Sequence, residues 1–160
     1  MSFAHHQDIR IGTMASLAKG AEYLSQIIDH GFESFELTLW RAVDGVNLEE
    51  KAKEILDCLG DQAIVSSLGI YGNPLQDEET AKDWETVIKA CKLFNCNVVC
   101  GFAGAVEGQP VDQSMPKFKE VFGHLAKVAD GEGVKIAFEN CDMGGTWDSP
   151  KWNIAHAPRA

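Results

Sequence analysis

Short apolar segments typical of β-strands alternate with longer segments of helical spacing along the chain. Strand patterns occur at residues 9–14, 34–40, 63–70, 97–102 and 134–138. Between them, apolar side chains recur every three or four residues, as in the series Ala81, Trp84, Val87, Ile88 and Cys91. Strict alternation of this kind predicts right-handed βαβ crossovers and a parallel sheet covered by helices.

Two architectures fit this alternation: an open doubly wound sheet, or part of a (β/α)8 barrel. A dinucleotide-binding doubly wound fold carries a G-x-G-x-x-G run after its first strand, whereas this position reads Gly12-Thr13-Met14-Ala15-Ser16. A dinucleotide-binding fold is therefore disfavoured. In a barrel, chemistry gathers at the C-terminal ends of the strands, and the polar candidates there are Glu36, the Ser66-Ser67 pair and Glu139.

Capping signals predict where several helices begin and end. Asn47 followed by Glu50 predicts a capping box at the start of the second helix, and Gly60 predicts its end. The fourth helix is marked by an apolar stripe over residues 118–128. We expect this helix to end at Gly131 and Gly133.

Size and charge limit the classes of function that fit this chain. With 160 residues, 45% of them hydrophobic, the chain is expected to form a single domain over residues 1–160. The formal net charge is -10, and the Lys and Arg residues are scattered among acids, so nucleic acid is not an expected partner. No apolar stretch approaches the roughly 20 residues needed to cross a bilayer, which predicts no membrane role.

The five cysteines are an odd number, and the N-terminus does not resemble a secretory signal. Both observations predict reduced thiols and a cytoplasmic location. Cys91, Cys96 and Cys100 lie close together but form no C-x-x-C pair. We therefore expect buried structural thiols and not zinc ligands at these three positions.

Glu139 closes an otherwise apolar strand. An ionised carboxylate at the rim of a dry barrel needs a cation or a hydrogen-bonding partner that offsets its desolvation. A divalent metal ion meets this need, and so does a buried Lys or Arg or a neighbouring loop that the carboxylate caps. Position alone leaves these alternatives open.

The segment after Glu139 carries a more specific pattern, Cys141-Asp142-Met143-Gly144-Gly145-Thr146-Trp147 and then Trp152-Asn153-Ile154-Ala155-His156-Ala157-Pro158. It resembles the xylose isomerase-like group of sugar phosphate isomerases and epimerases. In that group the fifth strand ends in a similar Glu-Asn-Cys and leads into a Gly-Gly-Thr-Trp and Asn-Ile-Ala-His loop. The resemblance covers essentially the whole chain, including residues 66–74, and implies about the first five β/α units of a (β/α)8 TIM barrel.

The resemblance implies a metal-dependent sugar or sugar-phosphate isomerase or epimerase that transfers a proton next to a carbonyl group. Glu139 would bind a divalent cation (Mn, Mg, Co or Zn) and exchange the proton. The physical logic is that the metal polarises the carbonyl and stabilises the enediolate while a carboxylate moves the proton. Candidate substrate contacts are His156, Trp147 and Glu36, the last placed at the end of strand two. Each has a structural alternative: an exposed loop histidine, a loop anchor, and a carboxylate facing a helix.

Members of this group continue for three more strand-helix units, which supply an Asp, a His and a second Glu, whereas this sequence ends at Ala160. We therefore expect an incomplete barrel that is inactive without the missing strands, and that forms a homo-oligomer or associates with a complementary barrel half. A non-catalytic barrel that binds a small polyol or a partner subunit is the alternative. A phosphodiesterase of the abasic-site endonuclease type is disfavoured by the acidic charge. The sequence specifies neither the sugar nor the metal.

Overall fold

The computed structural model of the chain describes residues 9–156. Ala157 and Pro158, the last two residues of the family-like motif, lie outside the described residues. The strands are β1 (Gly12–Ser16), β2 (Ser34–Leu39), β3 (Ile64–Ile70), β4 (Val98–Gly101) and β5 (Lys135–Phe138). The helices are α1 (Gly20–Ile27), α2 (Leu48–Leu59), α3 (Glu78–Ala90) and α4 (Val111–Glu132). Short 3-10 segments, Ile28–His30 and Cys91–Phe94, follow α1 and α3.

The five strands form one parallel sheet in the order β1-β2-β3-β4-β5. Each crossover therefore moves one strand further in the same direction. A doubly wound sheet instead reverses its strand order at a switch point, and the described sheet contains no reversal. The fold is an α/β arc of parallel strands of the (β/α)8 type, which confirms the predicted fold class.

The two faces of the sheet differ in chemistry. Phe35, Leu37 and Leu39 alternate along β2 and are buried on the face that packs against the helices. Glu36 and Thr38 lie between them and so point to the opposite face, which is the inside of the arc. The helix-facing core also contains Leu24, Ile55, Leu59, Val65, Ile70, Trp84, Val87, Ile88, Phe94, Val99, Phe122 and Leu125.

At α2 one half of the predicted capping box forms and the predicted end holds, and at α4 the predictions hold only in part. The Asn47 side chain accepts a hydrogen bond from the Glu50 backbone N–H, and the chain leaves α2 at Gly60. In α4, Gly131 lies within the helix, and only Gly133 has the left-handed φ, 68°, that ends it. The helix also begins at Val111, seven residues before the predicted stripe.

The first strand lies later in the sequence than predicted. β1 pairs with β2 from Gly12 to Ser16, whereas the apolar pattern places the strand at residues 9–14. Ile9 and Ile11 are 74% and 67% exposed, so their apolar character does not mark a buried strand. Within residues 9–156, no helix is both long enough and apolar enough to cross a membrane. All five cysteines are free thiols.

Candidate functional site

A polar network occupies the inner face of the sheet, centred on Glu36. Its Oε1 accepts a hydrogen bond from the Tyr71 hydroxyl, and its Oε2 accepts one from Ser67 Oγ at 3.2 Å. Tyr71 and Ser67 are 4% and 8% exposed. Glu36 is the third of six residues in β2, so the prediction that it ends this strand is wrong. Because β2 continues to Leu39, the carboxylate lies inside the arc, below the strand ends.

A β-bulge brings Ser67 opposite Glu36. The β2–β3 register pairs Phe35 with Val65 and then Glu36 with Ser67, so Ser66 is the extra residue of the bulge and is exposed. The next inward-facing position of β3 is Gly69. A Cβ atom there would lie 2.8 Å from Glu36 Oε1 and 2.9 Å from the Tyr71 ring. Glycine at this position therefore leaves the space in which the Glu36 carboxylate and the Tyr71 phenol meet.

The network keeps its phenol and its nearby thiol in the neutral form. Burial, together with the hydrogen bond to Glu36, raises the pKa of Tyr71 well above its usual range, so Tyr71 remains a donor. Cys100 Sγ lies 3.9 Å from the Tyr71 hydroxyl oxygen. Burial and the neighbouring Glu36 raise the pKa of Cys100 to about 12. Cys100 is thus a neutral packing group and not an activated nucleophile.

Glu139 is the first residue after β5. Its backbone N–H donates to the Gly101 carbonyl at 3.0 Å, and its own carbonyl accepts a hydrogen bond from Asn153 Nδ2 at 2.9 Å. Ala137 pairs with Cys100 on the inner face, and Glu139, two residues further on, points to the same side. The side chain is exposed, and no residue in the range 9–156 hydrogen-bonds or ion-pairs with its carboxylate. The alternative of a buried Lys or Arg partner therefore finds no support in the described residues.

The described residues fit a metal site only in part. Across residues 9–156, no three His, Cys, Asp or Glu side chains come together in a way that could hold a metal ion. Glu36, whose oxygens each accept one hydrogen bond, from Tyr71 or Ser67, belongs to no such group of three. Glu139 would thus be a single carboxylate ligand, and a divalent cation needs additional oxygen or nitrogen donors.

The loop after β5 is anchored by a fully buried amide, Asn153. Its Nδ2 donates to the carbonyls of Glu139 at 2.9 Å and Cys141 at 2.8 Å. Its Oδ1 accepts hydrogen bonds from the backbone N–H groups of Ala103 and Ala155, both at 3.1 Å. One side chain therefore joins the segment after β5 to the segment after β4.

A second amide, Asn73, joins the preceding pair of segments, those after β3 and β4. Its Oδ1 accepts from the N–H groups of Ala105 at 3.0 Å and Leu75 at 3.3 Å. Its Nδ2 donates to the Ala105 carbonyl at 2.8 Å and to Gln76 Oε1 at 3.0 Å. The segments after β3 and β4 are joined in this way.

The other predicted contacts lie in the loop after β5. Trp147 packs against a small apolar cluster that includes Ala103 and Ile154, and its carbonyl accepts a hydrogen bond from Val111 N–H at 3.0 Å. These contacts are those of a loop anchor. His156 is half-buried, and its Nε2 has no hydrogen-bond partner in the described part of the chain. Neither residue contacts the Glu36 network, so their substrate roles stay predictions.

Sequence reasoning misses Tyr71, Asn73 and Asn153 as parts of the site. The run Tyr71-Gly72-Asn73-Pro74 indicates a turn, and nothing in it shows that the phenol turns inward or that the amide reaches the next loop. Glu36 and Tyr71 share one face only because of the bulge at Ser66, which simple alternation along β2 and β3 does not reveal.

A family model described as xylose isomerase-like TIM barrel matches residues 24–157 of the chain. No curated protein gives a significant match to the sequence.

Three solved structures illustrate the likeness in fold. A xylose isomerase-like TIM barrel protein from Mycobacterium smegmatis in complex with magnesium has a TM-score of 0.64 and 17% identity, covering 90% of this chain and 60% of that one. L-ribulose 3-epimerase has a TM-score of 0.63 and 19% identity, with 88% and 52% covered. A family 2 AP endonuclease from Brucella melitensis has a TM-score of 0.61 and 13% identity, with 84% and 57% covered. The chain thus spans between half and three-fifths of the length of these proteins.

Proposed function

The chain belongs to the xylose isomerase-like TIM barrel family, and on this basis we propose that it is part of a metal-dependent sugar or sugar-phosphate isomerase or epimerase. The observation that carries the proposal is Glu139, an exposed carboxylate that follows β5 and points to the inner face. No described residue neutralises this carboxylate, and its backbone is held on both sides, by Gly101 and Asn153. The epimerase and the magnesium-bound barrel among the structural neighbours support the reaction class and the cofactor class.

In this proposal Glu139 takes a proton from, or returns it to, the carbon next to the substrate carbonyl group. Its exposure lets the carboxylate reach a bound ligand, and a carboxylate positioned in this way is a suitable general base. A divalent cation, held in part by Glu139, would supply polarisation of the carbonyl group. Mn, Mg, Co and Zn remain the candidates for this cation.

Glu36 would contribute a substrate contact from the inner face. Each of its oxygens accepts one internal hydrogen bond and keeps a second lone pair for a substrate hydroxyl. Tyr71 and Ser67 fix the direction of the carboxylate. His156 and Trp147 are proposed as secondary contacts of the loop after β5, with a sugar or sugar phosphate as the small-molecule partner.

Two further predictions accompany the proposal. Five free thiols support a reducing compartment, in line with the proposed cytoplasmic location. Association with a second copy, or with a complementary barrel half, is tested by the mass of the protein in solution.

Proton exchange in D2O tests the proposal directly. The full-length protein, loaded with Mn²⁺, is incubated with ketoses with and without a phosphate group, and NMR follows loss of the proton next to the carbonyl. We expect exchange to fall by about 10²–10⁴-fold in Glu139→Gln, because a proton-transfer group is removed. Glu107→Gln is the matched control, since Glu107 is an exposed glutamate in the loop after β4. Equal exchange by Glu139→Gln and wild type would contradict the proposal.

A non-catalytic polyol-binding barrel is the second candidate, favoured by the lack of a three-ligand metal group within residues 9–156. It predicts that sugars bind, as measured by calorimetry, without any proton exchange. The phosphodiesterase alternative requires binding to abasic DNA, which the net charge of -10 disfavours.

A further inference from the structure

Asn153 lies in a loop, yet its side chain is completely buried and every hydrogen-bonding group of its amide has a partner. Such full satisfaction requires that four backbone groups from separate segments converge on one side chain. The amide is therefore a fixed joint between these segments. A buried amide in this arrangement is costly to replace, because its removal leaves the backbone groups without partners.

We propose that Asn153 is a positioning residue that sets the direction of the Glu139 carboxylate, an inference that rests on the proposed role of Glu139. β5 ends at Phe138, so the sheet ladder holds only the N–H of Glu139, through the Gly101 carbonyl. The carbonyls of Glu139 and Cys141 are held by Asn153 instead. Because no described residue hydrogen-bonds or ion-pairs with the Glu139 carboxylate, we take its direction to depend on the backbone that Asn153 fixes.

The other half of the amide relates Glu139 to the rest of the arc. Asn153 Oδ1 accepts from Ala103 N–H, and the following residue, Ile154, donates its N–H to the Gly104 carbonyl at 3.0 Å. These two hydrogen bonds thus hold the segment after β5 against the segment after β4. Asn153 thereby fixes Glu139 relative to β4, the strand that also carries Cys100 of the inner network.

Asn73 provides a matched control within the same chain. Like Asn153, it makes four hydrogen bonds, and it holds the same segment after β4 through Ala105. None of these four hydrogen bonds reaches a residue after β5. Asn73→Ser and Asn153→Ser therefore each remove an amide that makes four hydrogen bonds, Asn73 half-buried and Asn153 buried, but only the second variant releases the carbonyl of Glu139.

Manganese binding to the full-length protein distinguishes positioning from general stability. Free Mn²⁺ is measured by electron paramagnetic resonance, with folding checked by urea unfolding. We expect Asn153→Ser to weaken Mn²⁺ binding by about tenfold or more, as for other residues that orient a metal ligand. Asn73→Ser should change the Mn²⁺ affinity by less than about twofold, since Asn73 makes no hydrogen bond to the segment after β5. Equal weakening in the two variants would overturn the positioning role, because it would show a purely structural effect.

Hydrogen exchange tests the joint without using the metal. Ala103 and Ala155 lie outside all helices and strands, so the Asn153 amide is what protects their N–H groups in the wild type. Asn153→Ser should speed their exchange at least tenfold and spare Ala105, and Asn73→Ser should do the reverse. Unprotected Ala103 and Ala155 in the wild type would overturn the inference, even if the serine variant does not fold. Protection without Glu139-dependent Mn²⁺ binding would support the joint and overturn the proposed function.

Discussion

Replacement of Tyr71 by phenylalanine tests the inner network most directly. The change removes one hydroxyl group and leaves the ring in place between Trp40 and Phe102, so it opens no sizeable cavity. What is lost is the hydrogen bond from the Tyr71 hydroxyl to Glu36. Because the pKa of Tyr71 is raised, by burial first and then by Glu36, the phenol remains a donor throughout the pH range of the assay.

The expected magnitude follows from the charge of the acceptor. A hydrogen bond to an ionised group contributes about 1.5–3 kcal/mol, against about 1 kcal/mol for a neutral pair. Tyr71→Phe should therefore lower the free energy of unfolding by about 2 kcal/mol in the wild type. In the Glu36→Gln background, where the acceptor is neutral, the same change should cost about 1 kcal/mol. The double-mutant cycle then gives a coupling energy of about 1 kcal/mol.

Urea unfolding followed by tryptophan fluorescence measures the free energy of unfolding of the wild type, the two single variants and the double variant. A constant m value confirms that the four values are comparable. Tyr23→Phe is the control, since Tyr23 is 36% exposed and no described residue hydrogen-bonds its hydroxyl. This control should stay within about 0.5 kcal/mol of wild type. If Tyr71→Phe costs the same in both backgrounds to within about 0.3 kcal/mol, the two side chains act independently and the network does not exist as described.

Two other ionisable groups give further predictions. Asp83 is buried and accepts a hydrogen bond from Val43 N–H at 2.9 Å, and desolvation raises its pKa above the usual 3.8. Because the folded state then binds this proton more tightly than the unfolded chain does, the folded state loses stability as pH rises through the raised pKa. Asp83→Asn should therefore be more stable than wild type at pH 7 and lose that advantage near pH 3, as urea midpoints at the two pH values will show; a pH-independent difference would contradict this. Cys100, with a pKa of about 12, should be alkylated by iodoacetamide at pH 8 at least about a hundredfold more slowly than in the urea-unfolded chain. Mass spectrometry of the peptides measures this ratio, and similar rates in both states would refute the assignment of Cys100 as a half-buried neutral thiol.

Most of the fold could be predicted from the sequence because its signals are local. Alternation along β2, the Asn47 cap of α2 and the stripe of α3 each depend on neighbouring residues. The beginning of α4 could not be predicted in this way. Pro116 lies inside the helix, and because proline is disfavoured in helix interiors, the sequence around it does not indicate a helix. Gly131 and Gly133 look alike in sequence, and only the local φ separates the helical residue from the one that ends the helix.

The site could be predicted less well because its contacts are long-range. Glu139 is predicted from its place at the end of an apolar strand and from a resemblance, both of which are local signals. The partners of Glu36 lie 31 and 35 residues away, and the bulge at Ser66 shifts the register by one residue. Counting along unbulged strands would have paired Glu36 with Ser66. Asn153 reaches Ala103 across 50 residues, a distance at which sequence patterns carry no signal.

The two amides, Asn153 buried and Asn73 half-buried, also bear on the thermodynamics of binding. Asn73 and Asn153 fasten the segments after β3, β4 and β5 to one another through the short stretch 103–105. These segments lose their conformational entropy during folding, so a ligand that binds to them does not have to order them. Binding there should show a smaller entropic penalty than binding to a rim of independent loops.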